Sequence, residues 1–293
     1  MRKKKTNTPI LLSVVRWLYP KLERWAPRLA ERIFRLVFYV PLSYRVPEKE
    51  TEAANAAFQS KLRMGNKVIQ LYGWGDRSRP YILFVHGWAG RATQFRRFIA
   101  PVNEAGYYML GFDGPAHGRS SGTKTSILEF EKVLKKIFEE RGAPVAVITH
   151  SFGGAAVLFS MMNGLPVKIL INIATPSVPD EILKTYLRAI NGSWKSAERF
   201  KPYVKKMSGR DFEEFTTLYT IQHLPQPIKL LIVQDEDDQD VYALHADALL
   251  KIYPSAEIIR TQGLGHTRVL KDDDVISRCL SFIKENSDAA ASL

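Results

Sequence analysis

From residue 67 to residue 286 the chain alternates two hydrophobic rhythms. Short, nearly continuous runs rich in β-branched and aromatic residues predict strands at 68–74, 81–85, 107–112, 145–149, 167–173, 228–233 and 257–261. Between several of them the period lengthens to that of a helix, as at 128–138, where Leu128, Phe130, Val133, Leu134 and Ile137 share one face. Ser126 with Glu129 supplies a capping box for that helix. Strands alternating with helices predict an α/β fold, a mostly parallel central sheet with helices on both faces. The earliest strands have no helix between them, which predicts an antiparallel edge at the start of the sheet.

Two stretches depart from this alternation. Residues 1–50 read as a basic, amphipathic, helical extension. From Leu22, apolar residues recur at Trp25, Leu29, Ile33, Leu36, Val37 and Val40, and Arg24, Arg28, Glu31, Arg32 and Arg35 fill the other face. Pro27 and Pro41 limit the regularity of that helix. Residues 177–226 form a polar, largely helical excursion between two core strands. An insertion there is expected as a small cap over the carboxyl ends of the strands, where open α/β sheets place their sites. The main domain is thus expected at 65–286 with the cap at 177–226, and residues 287–293 as a disordered tail.

Charge sharpens this division. The net charge is +12, and residues 1–50 hold twelve Lys/Arg against four acids, a net +8. Such an arm suits an anionic surface. Packing on the main domain or on another subunit is one reading of residues 1–45, and peripheral membrane contact is another, since Arg lines one face and Trp, Phe and Leu the other. Nucleic acid is not an expected partner, because no basic–aromatic module stands on the main domain. The longest charge-free apolar stretches near the start, 6–15 and 36–44, are too short to span a bilayer. Arg16 interrupts the first of these regions early and no small-x-small site follows, so a secretory signal is not expected. The single cysteine, Cys279, allows no internal disulfide. A cytoplasmic location is the expectation, with membrane-peripheral contact as its alternative form.

The chemistry gathers at four places, each just beyond a strand. In Val147-Ile-Thr-His-Ser-Phe-Gly-Gly-Ala-Ala156 a strand stops at Ser151 and small residues open a helix. That is how a nucleophilic serine is presented, with the Phe152 N–H facing developing negative charge. The usual small first residue of that elbow is replaced by Thr149, so the serine is either a nucleophile despite the threonine or inert. Phe84-Val-His-Gly-Trp-Ala-Gly90 offers the Trp88 N–H as a second oxyanion donor. The acidic run Gln234–Val241 offers an acid to orient an imidazole; Asp238, three residues before Val241, is the choice, with Asp235 and Asp240 as alternatives. A metal site in this run is disfavoured, because hard-ion loops usually interleave glycine. His266 sits between Gly265 and Thr267 in a late loop and is the candidate base. The order Ser151, Asp238, His266, each past a strand, is that of a catalytic triad. His117 is expected to shape the floor of the site and His150 to pack under the elbow.

On these residues the chain resembles the α/β-hydrolase superfamily over roughly residues 65–286, through VHGWAG (85–90), FDGPAHGRSSG (112–122), THSFGG (149–154), QDEDDQDV (234–241) and GLGHTRVL (263–270). The resemblance implies an esterase-type serine hydrolase without cofactor or metal. Ser151 would be nucleophile, His266 general base and acid, and Asp238 the orienting carboxylate, acting on a small-molecule acyl ester or a related thioester, lactone or amide. Members with an aspartate nucleophile, such as haloalkane dehalogenases and epoxide hydrolases, are disfavoured by the serine at 151. An acyltransferase with the same triad, and a non-catalytic hydrolase-fold binding protein, are the alternatives. The acid at Asp235, where many members carry glycine, and the Thr149 replacement are the two departures from the pattern.

Overall fold

A computed structural model describes residues 10–42 and 44–291 of the chain. In chain order the elements begin with three helices, α1 (Ile10–Trp25), α2 (Pro27–Tyr39) and α3 (Glu48–Asn55). Strands β1 (Phe58–Met64), β2 (Lys67–Trp74) and β3 (Tyr81–Val85) follow, then α4 (Ile99–Glu104) and β4 (Tyr108–Phe112). Next come α5 (Ile127–Arg141), β5 (Ala146–His150), α6 (Phe152–Met162), β6 (Ile169–Ile173), α7 (Pro179–Ile190), α8 (Trp194–Ser208) and α9 (Thr217–Gln222). The chain closes with β7 (Lys229–Asp235), α10 (Leu244–Ile252), β8 (Glu257–Thr261), α11 (Gly265–Arg268) and α12 (Asp273–Ala291).

The eight strands form one sheet in the order β1-β2-β4-β3-β5-β6-β7-β8. β1 and β2 pair antiparallel, as do β2 and β4, and the remaining pairs are parallel. The antiparallel edge is the expected one, but β1 is an addition. Its sequence, FQSKLRM, buries only Leu62 and so lacks the apolar run that marks the other strands. Strands β3, β4, β5 and β6 are buried at every position, which is why they read as unbroken apolar runs rather than as alternation. Successive residues still point to opposite faces. Leu83 and Val85 join a core with Phe130, Val133 and Leu134 of α5, while Ile82 and Phe84 join another with Phe95, Phe98 and Cys279. Ser126 caps α5 by accepting the Glu129 N–H at 3.4 Å, whereas the Glu129 carboxylate turns to Lys67 and Lys132 instead of closing the box. Helix α12 continues to Ala291, past residue 287 where the sequence suggests a disordered tail; the run Ser-Asp-Ala-Ala-Ala is made largely of strong helix formers.

The described chain divides into two compact units. One comprises residues 41–178 and 215–291 and contains the whole sheet. The other is helical: α1 and α2 pack with α7 and α8 of the excursion. The long apolar period expected from Leu22 onward breaks at Ala26, because Pro27 opens a new helix at its first position. Phe34 meets Phe200 edge-on at 5.1 Å, and Phe38 lies 4.5 Å from Phe200 and 4.6 Å from Tyr186. Buried Tyr19 hydrogen-bonds Ser196 at 2.6 Å. The arm's partner within this unit is therefore the insertion, 177 residues away in sequence, a pairing that periodicity along either segment cannot reveal. The end of the excursion belongs to the sheet unit: Phe215 stacks on Phe159 at 5.0 Å, and Thr217 donates to the Pro176 carbonyl at 3.1 Å.

Candidate active site

Ser151 stands between β5 and α6 with φ 51° and ψ −122°, a left-handed conformation that is strained for a residue with a β-carbon. Its surroundings permit that turn because three neighbours have no side chain. A β-carbon on Gly153 would lie 2.4 Å from the Val85 carbonyl oxygen, and one on Gly154 would lie 2.2 Å from Thr175 Oγ1. One on Gly87 would lie 2.8 Å from the Ser151 β-carbon. The His-Gly turn after β3 is thus pressed against the elbow.

Thr149 is accommodated by a partner on the next strand. Its hydroxyl lies 2.7 Å from Asn172 Oδ1 and 3.1 Å from the Ile171 carbonyl, and the side chain is fully buried. The threonine therefore occupies a polar niche shared by β5 and β6. It does not point at the serine hydroxyl.

The candidate acid and the candidate base meet. Asp238 Oδ2 accepts from His266 Nδ1 at 2.8 Å, leaving Nε2 as the free face of the ring. Asp238 Oδ1 accepts from the Asp240 and Val241 N–H groups at 2.8 and 2.9 Å, so the buried carboxylate is held by three donors. Of the three acids left open by the sequence, Asp238 alone bonds the imidazole. Asp240 is exposed, and Asp235 does a different job. The Asp235 carboxylate accepts from the Gly265 N–H at 2.8 Å, the Leu264 N–H at 3.0 Å, Thr261 Oγ1 at 2.8 Å and the Asp237 N–H at 3.0 Å. Burial pushes its pKa up, but these donors outweigh it and hold the carboxyl below its ordinary range. Asp235 thus ties down the loop that carries His266.

Asp238, Asp240 and His266 also offer atoms within 4.8 Å of one another, a spacing compatible with a cation. Asp238 spends both oxygens on the hydrogen bonds just described, and His266 spends Nδ1 on Asp238. The donor set is that of an oriented imidazole.

His150, next to the nucleophile position, reaches the same histidine from below. Its Nε2 lies 2.8 Å from the His266 carbonyl oxygen and, facing an oxygen that can only accept, carries the proton. Its Nδ1 is buried and has no hydrogen-bond partner. Burial, with His266 adding to it, holds the His150 pKa well below the ordinary value. Among the described residues no hydrogen bond of 3.5 Å or less joins the Ser151 hydroxyl to His266; such bonds commonly tighten only around a substrate.

Two further neutral histidines brace the loop after β3. His86 Nε2 accepts from the Gly114 N–H at 2.8 Å, and its Nδ1 donates to the Gly87 carbonyl at 2.8 Å. His117 Nε2 accepts from the Ala89 N–H at 3.1 Å, which supports Ala89 in its left-handed conformation (φ 56°). Burial pushes His86 down to about 4 and His117 to about 3. The Trp88 ring packs edge-on against Phe152 at 5.5 Å and against His117 at 5.8 Å, which keeps the turn beside the start of α6.

Residues 82–278 match the model of the alpha/beta hydrolase family. The chain belongs to that family. A human serine hydrolase-like protein is 28% identical over 113 residues, which make up 36% of this chain and 54% of the relative. The chain spans about half, or less, of the length of the curated relatives it matches. Among solved structures, an esterase of Pyrococcus furiosus superposes with a TM-score of 0.61 at 17% identity, over 84% of this chain and 96% of that one. A membrane phospholipase A superposes with a TM-score of 0.62 at 14% identity, over 94% of this chain and 97% of that one. In this hydrolase-family chain the sequence pointed to Ser151, Asp238 and His266. It did not point to the anchoring by Asp235 or the bond from His150, since both end on backbone atoms of a distant loop.

Proposed function

We propose that the chain is a serine hydrolase that cleaves a carboxylic ester, or a related thioester, lactone or amide, through an acyl-enzyme. The reading rests chiefly on the 2.8 Å bond from His266 to the buried Asp238, with Ser151 on a strained strand-to-helix elbow. The serine hydrolase-like relatives and the esterase neighbour support it at low identity.

In this proposal His266 Nε2 takes the Ser151 proton as Oγ attacks the acyl carbon. Asp238 keeps the other proton on Nδ1 and stabilises the imidazolium that forms. The oxyanion is received by the N–H of Phe152, at the start of α6, and by that of Trp88. His266 then gives its proton to the departing alkoxide, the carbon–oxygen bond breaks, and the acyl group remains on Ser151. Water, deprotonated by His266, attacks the ester; the acid leaves and the Ser151 proton is restored.

A fluorophosphonate probe should label the wild-type chain at Ser151, and Ser151→Ala should lose both labelling and hydrolysis of a short p-nitrophenyl ester. A folded wild-type chain that takes up no probe would refute the reading. The length of the acyl chain preferred is read by turnover across an ester series.

A further inference from the structure

The helical unit holds a surface that the hydrolytic reading does not use. Six of the thirteen exposed large apolar side chains among the described residues lie on α1 and α2: Val14, Trp17, Leu18, Trp25, Leu29 and Leu36. Isolated apolar residues on a surface are ordinary, but two tryptophans exposed by 65% and 76% on one sixteen-residue helix are not. Val14, Leu18, Lys21 and Trp25 follow one another at helical spacing, with Trp17 beside them, so α1 carries an outward stripe. The inward side is already occupied, since Tyr19, Ala30 and Phe34 are buried within the unit.

Charge separates along the same line. Residues 1–40 and 179–214 hold 18 Lys/Arg against 8 Asp/Glu, a net +10 of the chain's +12. The two acids of residues 1–40, Glu23 and Glu31, are spent internally. Glu23 accepts from the Ser193 N–H at 2.9 Å and from Ser196 Oγ at 2.6 Å, and Glu31 pairs with Arg35 at 3.2 Å and Arg199 at 3.8 Å. Lys21, Arg24, Arg28 and Arg32 are exposed and have no acidic partner among the described residues. Two of these cations lie on the exposed indoles, with Lys21 Nζ 3.2 Å from the centre of the Trp17 ring and the Arg24 guanidinium 4.8 Å from that of Trp25. At the α1–α2 corner an open groove of about 460 Å³ is lined by Ala26, Pro27, Arg28, Leu29 and Arg32.

We propose that the outer face of α1 and α2 docks on an anionic lipid bilayer, with Trp17 and Trp25 at the level of the headgroups and Lys21, Arg24, Arg28 and Arg32 against lipid phosphates. Indole, aliphatic side chains and unpaired cations on one face match the mixed polarity of that interface. No described helix is long and apolar enough to cross a membrane, and Arg16 and Lys21 break the apolar run of α1, so in this proposal the helices lie on the surface and do not span it. A second copy of this chain would bring its own +10 to the contact and be repelled. A nucleic acid would use the cations and the indoles but leave Val14, Leu18, Leu29 and Leu36 in water. The proposal is independent of the hydrolytic reading, because its test measures binding and not turnover.

The test is co-sedimentation of the full chain with phosphatidylcholine vesicles, with and without phosphatidylglycerol, at low and high salt. Binding is expected only with phosphatidylglycerol, weakened by salt, with a blue shift of tryptophan fluorescence. Trp17→Ala/Trp25→Ala should lower the affinity at least about tenfold and abolish the shift. Lys21→Gln/Arg28→Gln/Arg32→Gln should lower it about fivefold for each cation removed. Both variants should keep the wild-type melting temperature, since the side chains are exposed. Wild-type chain that stays in the supernatant overturns the proposal, as does a folded tryptophan variant that binds as tightly as wild type. So does self-association, seen by light scattering, that the tryptophan variant loses while vesicle binding is unchanged.

Discussion

His150 Nε2 donates to the backbone carbonyl of His266 at 2.8 Å, so the residue beside the proposed nucleophile fixes the main chain of the proposed base. The two imidazole centres stand 4.6 Å apart. Because His150 is buried and held neutral, it can support its neighbour without adding a positive charge when His266 becomes an imidazolium. His150→Ala should therefore lower kcat by up to about 100-fold while KM changes little, since it loosens the base and touches no substrate. His150→Gln, whose amide can reach the same carbonyl, should recover part of that loss. Steady-state kinetics on a soluble ester decide it, and equal damage to kcat in both variants would remove His150 from this role.

The two buried aspartates of the β7 loop should separate cleanly. In Asp238→Asn the amide faces His266 Nδ1 and favours the wrong tautomer, while the oxygen can still accept from Asp240 and Val241. A folded chain with kcat down by about 10⁴ is expected. Asp235→Asn instead leaves the half-buried N–H donors of Leu264 and Gly265 competing for one oxygen. It should cost about 3 kcal/mol and lower the melting temperature by about 5–10 °C. Kinetics and thermal melts on both variants test this, and the reverse pattern would exchange their roles.

These two carboxylates also mark what could be read from the chain. The order of strand ends put Ser151, an acid and His266 in sequence because each follows an apolar run that stands out by composition. The choice between Asp235 and Asp238 depends on which carboxylate turns toward an imidazole 28 residues later, and no local pattern encodes that. β1 is not legible in the sequence because one of its faces is polar and the other buries only Leu62. The arm's packing on the excursion is not legible either, because two amphipathic segments each show an apolar face without showing whose face it meets.

Acid should weaken the fold before it denatures ordinary carboxylate networks. His86 and His117 accept backbone N–H bonds through Nε2 and are held at about 4 and about 3, against 6.5 when exposed. Depressed values mean that the unfolded chain binds protons first. The stability these groups contribute is intact above about 6.5 and is lost as pH falls toward 4 and 3, at about 1.4 kcal/mol per pH unit for each histidine. Asp113, raised by burial, works in the opposite sense at the acid end and offsets part of the loss. Melting temperatures recorded between about pH 7 and pH 4.5 should fall steadily. His117→Gln, which retains an acceptor for the Ala89 N–H, should flatten the slope; an unchanged slope would show that His117 is not the group involved.

Thr149 stands where the elbow usually carries its first small residue, and its hydroxyl is committed to Asn172 Oδ1 and the Ile171 carbonyl. That commitment predicts a stability defect without a chemical one. Thr149→Val keeps the shape of the side chain and deletes the hydroxyl, leaving Asn172 Oδ1 buried without this donor. About 1–3 kcal/mol should be lost, with kcat on a soluble ester within about threefold of wild type. Thr149→Gly should behave similarly and lose packing as well, because the niche between β5 and β6 is then empty. If either substitution abolished turnover in a folded chain, the hydroxyl would have to act on Ser151 itself, contrary to the direction in which it points.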